Sequence, residues 1–364
     1  MTSSKTFDAL LALTRLGIGN PIVELPDSID WPAIKALAMQ QGLSAVVLDG
    51  INEVRNRKSE TICEFPNKII LTQWIGEVLQ GYEYRFELYR RAIAEMAGFY
   101  NSHGYKMMVL KGYACSLDWP KPEHRPTGDI DIWQFERQKE ADANLAREKG
   151  IEIDSSHHHH TVFFWRDFMV ENHYDFINVH HHKSNAEIEV ILKELARDDS
   201  HSDELYGEKV YLPSPNLHAL FLLKHTMMHF ASEGITLRQL LDWGFFVKAH
   251  GKDVDWKWLL SVLEKYNMDT LFNIFNAICV ENLGFDSGIF PEIQFSPELK
   301  DRVLHEIIEP EFGDELPANL IKRVAFKFRR WKGSAWKHKL CYKESMWNAF
   351  WSGVWNHLLK PGSI

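Results

Sequence analysis

The stretch RPTGDIDIW, residues 125–133, sets Asp129 and Asp131 two apart and alternates them with Ile130 and Ile132. On a β-strand, residues i and i+2 share a face, about 6–7 Å apart along the backbone. Both carboxylates would then point one way and both isoleucines the other. Two bare carboxylates so placed repel each other, and burying either is costly unless something compensates the charge. A divalent cation does this. Mg²⁺ prefers oxygen ligands at about 2.1 Å and is commonly held by one or two carboxylates together with substrate phosphates. A third carboxylate from a neighbouring strand would allow two ions about 3.5–4 Å apart. An exposed strand face with two solvated aspartates is the competing reading, and Asp-x-Asp alone does not separate the two.

The residues upstream add to the pattern. In VLKGYACSLDWPKPEHRPTGDIDIW an apolar run ends at Lys111-Gly112 and a helix is expected directly after it. Backbone N–H groups at a helix start suit a phosphate, with Gly112 permitting close approach and Lys111 supplying charge. The GxxxxGK[ST] phosphate loop is absent. Arg125, four residues before Asp129, could pair bidentately with a phosphate or form a salt bridge within its acidic neighbourhood.

The arrangement LKG … R-x-x-G-D-I-D-I, running through Gly128, resembles the polymerase-β type of nucleotidyltransferase. Within that superfamily it is similar to the bacterial branch labelled uncharacterised nucleotidyltransferase. The resemblance puts Lys111 and Gly112 in the phosphate-loop place and Asp129 and Asp131 in the place of the metal-binding pair. A third acid belongs on a later strand. FMVENHYDF matches the branch's Val/Ile-Glu-x-His-aromatic pattern through Val170, Glu171, His173 and Tyr174. The rival AEIEVI offers Glu187 and Glu189 at the front of an expected helix, and Glu171 is preferred. LLKHTMMHFASEGITLRQLLDW also resembles the branch, so the likeness covers roughly residues 75–260. Tyr113 is a departure, standing where the superfamily has a second small residue.

The resemblance implies an NTP substrate and two Mg²⁺ (or Mn²⁺) ions. The chemistry is displacement at the α-phosphate, with release of pyrophosphate and transfer of a nucleoside monophosphate to an acceptor. Asp129 and Asp131 would bridge the ion that holds the triphosphate. Glu171 would share the second ion, which activates the acceptor hydroxyl, or act as general base. The acceptor, whether small molecule, protein or RNA, is left open. The alternative is a catalytically inactive nucleotide- or partner-binding module that keeps this fold.

Other groups could do chemistry. His157–His160 and His180–His182 form histidine runs; zinc binding is possible, but an exposed strand or loop edge is the preferred reading. His173, beside Glu171, is a site candidate or a core histidine. His225 and His229 lie i, i+4, but Thr226 stands where a zinc protease needs glutamate, which argues against a protease. Arg238 and Asp242, also i, i+4, read as a helix ion pair or as residues lining the cleft. Lys322, Arg323, Lys327, Arg329, Arg330 and Lys332 begin a basic, aromatic C-terminal stretch. It reads either as a solvated face or as a contact for a polyanion such as RNA or an anionic membrane surface.

The elements that must position these groups follow from periodicity. Apolar spacing of three to four predicts a long helix over 68–102, interrupted near Gly76 and Gly81. Short runs at 105–112, 128–133, 151–156, 161–167, 168–180 and 208–213 read as strands, with a hairpin through Arg166 and Asp167. Helices are expected near 136–150 and 186–198, and from 214 onward. The expectation is an α+β protein with a mixed β-sheet core flanked by helices. Its parts are an N-terminal helical region (1–65), a nucleotidyltransferase-like domain (66–212) and a helical C-terminal domain (213–364). The 364 residues, 45% hydrophobic with 13 tryptophans and 22 phenylalanines, can bury an ample core. A net charge of −9 argues against general nucleic-acid binding. Four scattered cysteines (Cys63, Cys115, Cys279, Cys341), no signal peptide and no long apolar run predict a reduced, cytoplasmic protein.

Overall fold

Strand β2 (Ile130–Trp133) begins one residue after Asp129 and has every residue buried, because both faces of the sheet are covered. In the computed structural model, which describes residues 4–20, 24–56, 65–180, 182–312 and 320–347, β2 sits inside a six-stranded sheet. The other strands are β1 (Met108–Val109), β3 (His160–Trp165), β4 (Phe168–His173), β5 (Ser202–Leu205) and β6 (Glu208–Tyr211), in the order β3-β4-β2-β1-β6-β5. The β2–β4 and β1–β6 pairs are parallel and the others antiparallel. The sheet is mixed, as expected of an α+β chain.

The predicted β3–β4 hairpin turns at Arg166, whose φ is +54°. Strand β5 was not foreseen. Its sequence, SDEL, is polar because it forms one edge of the sheet and buries only Leu205. It returns into β6 through Tyr206 and Gly207, both with positive φ. Residues 151–156, expected as a strand, contribute a single bridge, Asp154 to Val162, and β4 stops at His173 rather than running to 180.

Helices pack on both faces. Before the sheet come α1 (Ser4–Gly17), α2 (Trp31–Gln40), α3 (Ser44–Asn56), α4 (Lys68–Val78) and α5 (Arg85–Ser102). Between α4 and α5, residues Leu79–Tyr84 form a π-helical turn that buries none of its residues. The interruption expected near Gly81 is thus a widened turn, not an end. Within the sheet region lie α6 (Lys111–Ser116), α7 (Gln138–Lys149) and α8 (Lys183–Leu195). After it come α9 (Pro215–Ser232), α10 (Leu237–His250), α11 (Trp256–Lys265), α12 (Asp269–Ala277), α13 (Pro297–Ile308), α14 (Leu320–Gly333) and α15 (Ala335–Cys341).

Two apolar clusters result. Ile130 and Ile132 join Val170, Phe163 and the α5 residues Tyr89, Ile93, Met96 and Tyr100 on one face. The other face begins with Trp133, stacked on Phe176. It continues through Phe221 of α9 into a core that includes Leu10, Leu13 and Val47 from the N-terminal helices, and Phe246, Phe275 and Val303 from the C-terminal ones. Helices α1 and α3 cross at near backbone contact. A Cβ on Gly50 would lie 2.0 Å from the Leu13 carbonyl oxygen, so only glycine fits there.

Cys115, Cys279 and Cys341 are free and buried, while Cys63 lies outside the described residues. The basic stretch is not wholly solvated: Lys337 is buried against Glu306 at 2.8 Å. Among the described residues no helix is long and apolar enough to cross a membrane.

Candidate active site

Strand register assembles the centre. In the parallel β2–β4 pair, Asp131 stands opposite Glu171 and Trp133 opposite His173. The alternation that sends Ile130 and Ile132 into the α5 core therefore sends Asp131, Glu171 and His173 to the same side. His173 Nε2 lies 2.9 Å from Asp131 Oδ1 and 3.5 Å from Glu171 Oε2. Lys111, at the start of α6, brings Nζ to 2.6 Å from the same Asp131 oxygen. Its backbone holds φ +29°, a region that non-glycine residues seldom occupy. Glu187 and Glu189 are elsewhere. Glu187 accepts from the Tyr266 hydroxyl at 3.1 Å, and Glu189 accepts from the backbone N–H groups of Phe176 and Ile177. Of the three acids compared, the fold brings only Glu171 to the aspartates.

Charge balance follows from this packing. Asp131 is 2% exposed. Burial pushes its pKa up, but the Lys111 ammonium and the His173 hydrogen bond outweigh this and hold it far below the usual carboxylate range. Burial opposes charge on His173 too, yet its bonds to Asp131 and Glu171 raise it to about 9, so it is an imidazolium at neutral pH. Asp129 is raised, first by the negative charge of Asp131 and then by burial. Glu171 is opposed by burial but held low by the His173 hydrogen bond, with help from Lys111. Two cations thus stand against three carboxylates.

The centre opens into a cleft of about 570 Å³ between the sheet and helices α9 and α10. Lys111, Gly112, Arg125, Gly128, Asp129, Asp131, Glu171, His173, Arg238 and Asp242 all line it. The structure corrects one expectation among them. Asp242 pairs not with Arg238 on its own helix but with Arg125, whose Nε and NH2 reach its two oxygens at 2.8 and 2.9 Å. Trp119 Nε1 donates to the same carboxylate at 2.9 Å. The salt bridge foreseen for Arg125 is thus made, to Asp242, and Arg125 also lines the cleft. Among the described residues Arg238 has no ion-pair or hydrogen-bond partner. Burial and the neighbouring Arg125 lower its pKa.

Gly112 is required by a close neighbour: a Cβ there would lie 2.5 Å from Tyr89 Oη. That hydroxyl donates to the Asp129 carbonyl at 3.0 Å, tying α5 to the start of β2. Helix α6 is only six residues long. Tyr113, the departure from the superfamily pattern, points away from the centre; its hydroxyl donates to Asp203 at 3.0 Å.

Four histidines join the site unannounced. Lys111 Nζ donates to His225 Nε2 at 3.0 Å, His229 Nε2 lies 3.2 Å further, and Glu233 stands 3.0 Å from His229 Nδ1. The i, i+4 spacing on α9 was a usable signal, though its purpose was hidden. His159 and His160 also line the cleft. The exposed-edge reading of the first run holds for His157, but the chain turns inward after it and His160 is 6% exposed. Burial, reinforced by the neighbouring histidines and by Lys111, pushes His159 down to about 2. Burial also lowers His160, to about 4. Both are neutral. In the second run, His182 stacks on Tyr342 at 3.7 Å and is not among the residues that line the cleft, and His181 lies outside the described residues.

A family model described as uncharacterised nucleotidyltransferase matches residues 27–284. The chain belongs to this family. The match spans the sheet, the acids and helices α9 to α12. Among solved structures, the chain is similar to an antigenic nucleotidyltransferase-like protein from Paracoccidioides brasiliensis. The identity is 16%, covering 44% of this chain and 75% of that one, with a TM-score of 0.32. No curated protein matches the chain.

Proposed function

We propose that this member of the nucleotidyltransferase family moves a nucleoside monophosphate from an NTP to a hydroxyl-bearing acceptor, releasing pyrophosphate. The observation that carries the reading is the register of Asp131 with Glu171 across adjacent parallel strands, with Asp129 two residues before Asp131. The donor set fits Mg²⁺ or Mn²⁺, being oxygen-rich and partly buried, with charge that already demands compensation. Asp129, Asp131 and Glu171 would hold the ions, whose chemistry is to neutralise the triphosphate and acidify the acceptor hydroxyl.

The protein's own groups do the rest. Arg238, without an ion-pair or hydrogen-bond partner among the described residues, could take triphosphate oxygens, joined by Arg125, which lines the same cleft while its Nε and NH2 hold Asp242. Lys111 leans on Asp131 and can pass to phosphate. Glu171, held as carboxylate, accepts the hydroxyl proton as the acceptor oxygen bonds to the α-phosphorus and the bond to pyrophosphate breaks. The free, buried thiols suit a reducing cytoplasm.

A second reading, an inactive nucleotide-binding module, draws on Lys111 and His173 both already bound to one oxygen of Asp131. Two measurements decide. Each NTP with Mg²⁺ should raise the Tm more than either alone, and an Asp129→Asn/Asp131→Asn double variant should lose that rise. Label from an α-phosphate-labelled NTP should pass to a component of cell extract. A metal-dependent shift without transfer favours the module; no shift in the wild type removes both readings.

A further inference from the structure

We propose that His159, His160 and His173 form a site for a divalent transition metal of the zinc class, adjoining the carboxylates and sharing His173 with them. The proposal goes beyond nucleotidyl transfer and does not depend on it.

The three imidazoles come from two adjacent strands and the turn before one of them. His160 opens β3 and faces His173, the last residue of β4, in the antiparallel register. His159 is pinned beside them because its carbonyl accepts from both Tyr174 N and Asp175 N at 3.0 Å. Ring centroids lie 4.3 Å apart for His159–His160, 5.4 Å for His160–His173 and 5.8 Å for His159–His173. One nitrogen from each ring lies within 4.8 Å of the other two. A zinc-class ion held by all three would sit about 2.0–2.1 Å from each nitrogen.

Two features point to a ligand rather than to packing. His159 Nδ1 and His160 Nδ1 are buried with no hydrogen-bond partner. Leaving two such atoms unsatisfied is costly unless something binds them. His173, in contrast, has Nδ1 at 3.1 Å from the Asp175 carbonyl. That is the outer hydrogen bond which fixes a metal-ligating imidazole and turns its Nε2 inward.

The donor chemistry selects the ion. Mg²⁺ takes oxygen, whereas imidazoles suit Zn²⁺, Co²⁺, Ni²⁺ and Cu²⁺; His159 and His160 are already neutral, and His173 would give up its Nε2 proton as the ion binds. His157 is exposed and outside the cluster, so the run of four divides into an inner pair and an outer pair.

The test uses the full chain, purified without nickel, stripped with chelator and titrated with Co²⁺ alone. One equivalent should bind with the intense visible bands of a low-coordinate nitrogen site, and Zn²⁺ should bleach them. His159→Ala and His160→Ala should each weaken binding by about tenfold or more, while His157→Ala/His158→Ala should not. Cu²⁺ bound to the wild type should show nitrogen couplings in its electron paramagnetic resonance spectrum, a readout that needs no variant to fold. Weak bands of an all-oxygen site, undiminished binding by His159→Ala, or loss of binding on changing only the outer pair would each overturn the proposal.

Discussion

At the residue scale the centre is a problem in charge. Three acids crowd one side of the sheet, and Lys111 with His173 supplies two positive charges where a divalent ion would supply the same. This is why acids tolerated on buried strands imply cations nearby, whether protein or metal. Glu171→Gln keeps the shape and removes the proton acceptor. The transfer rate should fall about 10²–10⁴-fold with KM for the NTP little changed, as measured by pyrophosphate release. A loss under tenfold would remove Glu171 from that role. Glu189 poses a different case. Burial pushes it up to about 7 from an ordinary 4.5 despite two backbone donors. A raised folded-state pKa gives stability that is fully present below about 4.5 and is lost as pH rises through about 7. The wild type should therefore lose stability relative to Glu189→Gln across that window. A Tm difference that stays constant from pH 4 to 8 would contradict this.

At the element scale, each strand's role follows from where it lies. β2 is central, buried on both faces, and so could be read from its alternating apolar residues. β5 is an edge strand with a polar face, and its sequence carries little that separates it from a loop. Helix α5 meets α6 through Tyr89 and Gly112, and the same tyrosine fixes the residue before β2. Gly112→Ala should cost about 1–3 kcal/mol of stability, read from the urea midpoint. Its clash is with the hydroxyl alone: the Tyr89 Cζ lies 3.6 Å from the added carbon, in ordinary contact. Tyr89→Phe should therefore recover part of the loss, a non-additivity that a double-mutant cycle measures. Additive effects would mean that Gly112 is needed for some other reason.

At the scale of the whole molecule, the N- and C-terminal helices share one core that closes over the sheet's second face, and Arg125–Asp242 fastens this assembly near the site. The pair joins the loop before β2 to α10, with both side chains buried. Asp242→Ala leaves a guanidinium buried without its carboxylate and should cost about 3–5 kcal/mol. The double change Arg125→Met/Asp242→Leu should be much milder, as denaturant midpoints would show. Equal losses would argue that the pair matters through packing alone.

The alternation in GDIDI, the Val-Glu-x-His pattern, the long helix and the α+β succession are local, and periodicity suffices to read them. The alternation marks Asp129 and Asp131 as sharing one strand face, whereas Lys111 and Glu171 were singled out by resemblance to the family pattern; the fold brings Lys111, Asp131 and Glu171 together at one cleft. Partner choice could not be read this way. Asp242 could be matched to Arg238 four residues away on the same helix, yet its carboxylate goes to Arg125, 117 residues distant. Lys111 meets His225 across 114 residues, and half of the histidine run turns from the surface into the cleft. A pattern of two or 3.6 says which face a side chain takes along its own element. Only the packing of strands and helices from distant parts of the chain decides what that face meets, because the desolvation that forces buried charges and imidazoles to find partners exists only once the chain has closed around them.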